Sequence, residues 1–457
     1  MLFPSFTFVL AFLPLTLMVY FLLGRKNGTL ARIWLLCASL VFYSWFNHSY
    51  FFIIAGSIVG NYLLSQWLWK KPSRLVFIFG ALLNIALLGY FKYYNFMVEN
   101  LNVFFKTSLI LKEIVLPLGI SFFTFQQISY LHSVYTRSLK ERYSFLTYAL
   151  FVTFFPQLIA GPIVLPDEMM PQFDHKDSLK VNYDNLARGI FAFALGLGSK
   201  MLLADFFAEI ADAGFASGCK GFIPAWKTAL AYTFQIFFDF GGYCDMAYGI
   251  ALMFNIRLPQ NFDTPYRSGS ISEFWRRWHM TLGRFLSTYI YIPLGGSRKS
   301  HFRTCLNLLI TFFVSGLWHG ASWLFVLWGM LHGLASVIQR CWQKWCNVRL
   351  PKIAGQLLTF IFVVIAWVLF RAENMAQARG VYQGMFTPET AGFEVLKITK
   401  DWILFIAGGA IVLFMPPVYA LAEKFRPYWW NAVLTIGILT ASIFCFVKSS
   451  PFIYFNF

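Results

Sequence analysis

Apolar runs of about 17–25 residues, long enough to cross a hydrocarbon core roughly 30 Å thick as helices, recur along almost the whole chain. The first covers Met1–Leu23 and is followed by Arg25 and Lys26. A second runs from Arg32 through Trp45, a third from Tyr50 to Trp69, and a fourth from Leu75 fades near Tyr90. Further runs cover Ile114–Ser129, Tyr143–Ala160, Leu186–Phe215, Ala225–Phe254 and Arg303–His319. Trp323–Ile338, Leu357–Phe370, Trp402–Leu421 and Trp430–Phe446 complete the series. The pattern predicts an all-α, polytopic transmembrane helical bundle of about eleven or twelve spans, with re-entrant or interfacial helices between them. One membrane domain over residues 1–457 is expected.

The interruptions in this pattern carry their own expectations. Gly161-Pro162 should break a helix, and the polar stretch 166–186, with Asp174, His175 and Asp177, reads as an extramembrane loop with a solvated histidine. Phe91–Phe96, aromatic around Lys92, fits an interfacial belt. Gln126 and Gln127 leave two readings open, a polar pocket or hydrogen-bonded helix glue. Inside Ala225–Phe254, Asp239, Asp245 and Gly241-Gly242 argue for a broken helix lining a polar cavity. The competing reading is that each carboxylate bonds a nearby amide or cation and fixes packing.

Composition agrees with the pattern: 58% of residues are hydrophobic, 12% are charged, and mean hydropathy is +0.60. The net charge of +17 does not point to nucleic acid, because Lys and Arg sit in short segments between apolar runs, as in cytoplasmic loops. The first run has no basic n-region and no small-residue cleavage site, so it reads as a retained span with its N-terminus outside. The seven cysteines form no CxxC pair and no framework spacing, so neither a metal site nor a disulfide scaffold is expected.

Two stretches stand out chemically. In Ser315–Trp323, His319 lies between Gly316 and Gly320, at the end of a run where hydrocarbon makes an ionisable side chain costly. Sixteen residues beyond Arg303 place it about 24 Å along a helix, well inside the membrane. Burial disfavours the imidazolium, which keeps such a ring neutral and able to take a proton from a hydroxyl. The second stretch is the charged block Glu273-Phe274-Trp275-Arg276-Arg277-Trp278-His279, followed by Gly295-Gly296-Ser297-Arg298-Lys299. Glu273 and Arg277 should meet on one helix face, while Trp275 and Trp278 would set that helix into the headgroup region. Arginines beside exposed backbone amides suit a phosphate-bearing ligand, and an amphipathic surface helix explains the block equally well.

Trp318-His319-Gly320-Ala321, Leu327-Trp328-Gly329-Met330-Leu331-His332-Gly333 and the Glu273–His279 block resemble the membrane-bound O-acyltransferases. The likeness is to the bacterial branch that serves alginate and peptidoglycan O-acetylation and teichoic-acid D-alanylation. Gly89–Tyr93, Leu118–Phe122, Phe155–Pro162, Phe238–Tyr243 and Trp367–Glu373 extend it over nearly the whole chain. The resemblance implies a multi-pass bacterial inner-membrane enzyme with a funnel on each face. It would carry an acetyl group from a cytoplasmic thioester, acetyl-CoA, to an extracytoplasmic polysaccharide, with a separate periplasmic acetyltransferase as partner protein. It implies His319 as the catalytic base and His279 as the second motif histidine. Arg276, Arg277, Arg298 and Lys299 would then bind the donor, while Asp239, Trp318 and His332 line the pocket. For His332 a structural partner role stays open. A channel or transporter that passes an acyl species without catalysing its transfer is the second reading, and a scaffold for a periplasmic enzyme the third.

Overall fold

The computed structural model describes residues 1–219, 221–346, 350–388, 400–448 and 450–456. Their regular structure is all helical, with no strand among the described residues. Thr7–Gly24, Ser49–Lys70, Arg74–Phe105, Tyr183–Ser217, Trp323–Trp345 and Lys352–Arg371 are long and apolar enough to cross a membrane. Gly28–Ser44, Asp401–Phe414 and Trp429–Phe444 are shorter apolar helices. Side chains such as Leu75, Leu82, Ile353 and Ile406 stand exposed along them, an arrangement suited to lipid rather than water.

The chain divides into two compact units. The first comprises Met1–Leu197, Tyr243–Pro259 and Ala422–Val447. Its core is aromatic: Phe8, Phe42 and Phe155 pack with ring centroids 5.4–6.2 Å apart, and Phe254 joins Phe155 at 5.8 Å. Between Ser49–Lys70 and Arg74–Leu88, Asn61 and Asn84 exchange side-chain hydrogen bonds of 3.2 and 2.6 Å, which satisfies both amides away from water. Gln127 takes the second role foreseen for it: its Nε2 donates to Ser57 at 3.0 Å, and its Oε1 accepts from Tyr148 at 3.2 Å.

Three local expectations are corrected within this unit. The fourth span does not fade at Tyr90, because a π-helical turn, Gly89–Tyr93, carries it on through Tyr94–Phe105. The polar stretch after Gly161-Pro162 is not a plain loop. Pro166 at the first helical position, with Asp167 and Glu168 in the first turn, starts a helix over Pro166–Asp174. The helix of the Ile114–Ser129 run begins only at Ile120, after Gly119 in a left-handed conformation.

The second unit comprises Gly198–Gly242, Gln260–Leu421 and Lys448–Phe457. Its elements include part of the long helix α1 (Phe222–Met253), the short helices α2 (Ile271–Arg277) and α3 (Met280–Leu286), the hairpin α4 (His301–His319) and α5 (Trp323–Trp345), and α6 (Lys352–Arg371). The broken helix expected around Gly241-Gly242 does not occur, since α1 is continuous across it. Each glycine costs a helix about 1 kcal/mol, but Asp239, one of the two carboxylates that suggested a polar gap, is satisfied by a cation.

The α4–α5 hairpin is built on glycine. A Cβ on Gly329 would lie 2.3 Å from the Phe312 carbonyl oxygen and 2.9 Å from Gly316 Cα, and one on Gly316 2.3 Å from the Phe325 oxygen. Only two bare backbones let the helices approach this closely. Gly329→Ala is therefore expected to destabilise the protein by about 1–3 kcal/mol despite alanine's higher helix propensity. Thermal unfolding in detergent tests this, and an unchanged or raised midpoint would refute the close approach.

Candidate active site

His319 is the last residue of α4, where Gly320 turns extended (φ −166°) and Ser322 caps α5 by accepting from Leu324 N–H. The tight turn holds the imidazole within an aromatic enclosure, 2% exposed. Its ring centroid lies 4.9 Å from Trp318, 5.0 Å from Trp328, 5.1 Å from Phe370 and 6.0 Å from Tyr454. His279 is 6.5 Å away, ring to ring. Two fully or nearly buried imidazoles therefore face one enclosure wall, with Trp318 6.0 Å and Tyr454 6.3 Å from His279.

His279 occupies the junction between α2 and α3 in a left-handed conformation, φ 44°. A non-glycine residue there costs about 1–2 kcal/mol, and the surrounding hydrogen bonds hold it. Asn261 is the anchor. Its Oδ1 accepts from Thr281 Oγ1 at 2.8 Å and from Thr281 N–H at 3.3 Å, and its backbone oxygen accepts from Met280 N–H at 2.9 Å. His279 Nδ1 lies 3.1 Å from the same Oδ1. An amide oxygen accepts only, so Nδ1 carries the proton and the lone pair is on Nε2. Nε2 is buried without a hydrogen-bond partner among the described residues. Burial lowers the pKa of this imidazole to about 3, so the ring is neutral. Its chemical capacity is that of a hydrogen-bond acceptor or base.

His332, one turn beyond Trp328 on α5, is fully buried. Trp275 Nε1–H donates to its Nδ1 at 3.2 Å, which puts the ring proton on Nε2. Its ring lies 4.9 Å from Trp328 and 5.2 Å from Phe362. That hydrogen bond favours the structural reading of His332.

The tryptophans of α2 pack against other aromatic rings of the second unit. Trp278 is 1% exposed, stacked on Phe274 at 5.6 Å and packed on Trp367 at 4.9 Å, while Trp275 contacts Trp328. Indole rings bury more area than any other side chain, and this enclosure offers them partners. The basic residues divide. Arg277 bonds Glu273 at 3.0 Å, the foreseen one-turn pair, and lies 3.7 Å from Asp263. Arg276, Arg298 and Lys299 are exposed. Gly295 and Gly296 have φ of 109° and 55°, a turn closed by Asn307 Nδ2–H donating to the Gly296 oxygen. Among the described residues, none of these cations contacts an imidazole of the site.

Asp239 is 1% exposed, and its carboxylate does not stand in an open polar cavity. Lys200 bridges it at 2.6 Å to Asp205 at 2.7 Å. A π-helical turn, Ser199–Ala204, directs Lys200 inward. The other Asp239 oxygen accepts from Ile453 N–H at 2.8 Å, and Asp205 accepts from Ser450 Oγ at 2.6 Å. This triad fastens the segment that carries Tyr454, whose ring lies 4.0 Å from Phe240. Tyr454 and Asn261 were not foreseen from the sequence.

The family model for membrane-bound O-acyltransferases matches residues 6–376. The chain belongs to that family. As a member it is a membrane acyltransferase with multiple apolar helices. It is 45% identical to a peptidoglycan O-acetyltransferase of Helicobacter pylori over 84% of this chain and 80% of the relative. Likeness to a probable alginate O-acetylase, AlgI, of Pseudomonas aeruginosa is 40% over 90% and 80%. A teichoic acid D-alanyltransferase of Streptococcus thermophilus is 27% identical over 55% of this chain and 68% of its own.

Proposed function

We propose that this chain catalyses transfer of an acetyl group from a cytoplasmic thioester, acetyl-CoA, in the O-acetylation of an extracytoplasmic polysaccharide of the peptidoglycan or alginate type. The observation that supports it is the pair of buried imidazoles, His319 and His279, 6.5 Å apart in a member of an acyltransferase family. His319 takes the proton of the acceptor hydroxyl while the hydroxyl oxygen attacks the thioester carbonyl carbon. The C–S bond then breaks, and the leaving thiolate takes the proton back from the imidazolium, so the base is regenerated. His279, its tautomer fixed by Asn261, offers Nε2 as the second proton-handling position. Trp318 lines the pocket beside both rings.

Arg276, Arg298 and Lys299, exposed on the charged block, are the cations free to meet the phosphates of the donor. Arg277 serves from within its ion pair. The site works in the bacterial inner membrane, N-terminus periplasmic, and hands acetyl to a periplasmic acetyltransferase partner. The names of the peptidoglycan O-acetyltransferase and the probable alginate O-acetylase support this substrate class.

The test is chemical. Purified protein in detergent, without any partner, is incubated with radiolabelled acetyl-CoA. Thioester cleavage or acetylation of the protein above a no-enzyme control is expected. Transmembrane passage of acyl groups in vesicles, with neither reaction, would replace this function by that of a channel.

A further inference from the structure

The end of the α4–α5 hairpin opposite His319 carries a second cluster. His301 opens α4, Cys305 follows one turn later on the same helix face, and Cys341 lies across from them on α5. All three are half-buried. One ligand atom from each lies within 4.8 Å of the other two, and His301 Nε2 is 3.6 Å from Cys341 Sγ.

The 3.6 Å separation matches one edge of a metal tetrahedron, and the other two pairs lie within 4.8 Å. Zinc–sulfur bonds of about 2.3 Å and zinc–nitrogen bonds of about 2.0–2.1 Å put tetrahedral N···S and S···S separations near 3.6 and 3.8 Å. Two thiols and an imidazole are the donor set that borderline-soft zinc prefers over harder divalent ions. The His301 ring is held by Trp345, centroids 5.0 Å apart. Arg340 and Lys344 act electrostatically on both His301 and Cys305. Cations close to a lone divalent ion would repel it, but a zinc ion with two thiolates and a neutral imidazole carries no net charge.

We propose that His301, Cys305 and Cys341 bind one zinc ion, with water in the fourth position, as a clasp between α4 and α5. Binding releases two thiol protons to solvent and forms two Zn–S bonds and one Zn–N bond. The eighteen-residue rise along α4 separates His301 from His319 by about 27 Å, so the ion takes no part in proton transfer. The clasp fixes the register of the hairpin whose far turn carries His319. This inference stands apart from the acetyl-transfer reading.

The experiment uses full-length protein purified in detergent under reducing conditions, without a histidine tag. Zinc is measured by mass spectrometry, and cobalt(II) is titrated into the metal-stripped protein. Stoichiometric zinc is expected, with a near-ultraviolet sulfur-to-cobalt charge-transfer band and visible bands of tetrahedral intensity that zinc abolishes. Cys305→Ser and Cys341→Ser should each remove the charge-transfer intensity of one thiolate and lose bound zinc, and His301→Ala should weaken binding. Circular dichroism and size exclusion check that the variants fold. Wild-type protein that holds no zinc and gives no cobalt band overturns the proposal. So does zinc that survives the Cys305→Ser, Cys341→Ser double substitution, or a Cys305–Cys341 disulfide in protein kept reduced.

Discussion

His319→Ala is expected to lower acetyl transfer by about 10²–10⁴-fold, the usual contribution of a positioned base, while protein still accumulates in the membrane. The two outcomes separate because the residue ends a helix. Its backbone already leaves α4 at Gly320, and the hairpin is held by the Gly316–Gly329 approach upstream of the ring. Removing the imidazole opens a void among Trp318, Trp328, Phe370 and Tyr454, a packing loss of a few kcal/mol at most that leaves the helix pair intact. His319→Gln nearly keeps the volume and lacks the base, so it should be as inactive as alanine but more stable. Thioester turnover by purified protein and the thermal midpoint measure the two effects. Wild-type turnover in both variants would remove His319 from the chemistry.

What the sequence reveals about this site follows the cost of burying polar groups. A histidine among apolar residues declares itself because hydrocarbon tolerates few ionisable groups, and the glycines around it declare a close backbone approach. Both hold in the hairpin. The ion pair of Glu273 with Arg277 and the helix break at Gly161-Pro162 are equally local, each set by residues a turn or less apart.

What stays hidden depends on partners distant in the chain. The Gly241-Gly242 pair looks like a break until Lys200 is seen beside Asp239. Trp275 and Trp278 give no sign in the sequence of Trp328, Trp367 and His332 as their partners. Asn261 reads as one polar residue in a polar block, yet it sets the tautomer of His279. Tyr454 carries no signal at all, being one aromatic residue in an apolar stretch. Cys341 joins His301 and Cys305 only because two helices fold back on each other.

Asp239→Ala is the other substitution with a large expected effect. It removes one end of the Lys200 bridge, leaves the ammonium half-neutralised at 3% exposure, and takes the acceptor from Ile453 N–H. Breaking a buried pair by removing one partner costs roughly 3–5 kcal/mol, because the remaining charge stays desolvated. The loss reaches the site through Tyr454, one residue beyond Ile453 and 6.0 Å from the His319 ring. Asp239→Asn keeps the shape and one acceptor oxygen for Ile453, so it should be milder in stability and should retain more turnover than alanine. Removing both charges, in Lys200→Met with Asp239→Leu, should recover part of the thermal midpoint, since no unpaired ion is then buried among these two positions. Asp205 would still face Ser450, whose hydroxyl and N–H remain its donors. Thermal unfolding and thioester turnover of Lys200→Met, Asp239→Leu and the double variant form a cycle. Additive effects, with no recovery in the double variant, would show that the bridge does not hold the Tyr454 segment in place.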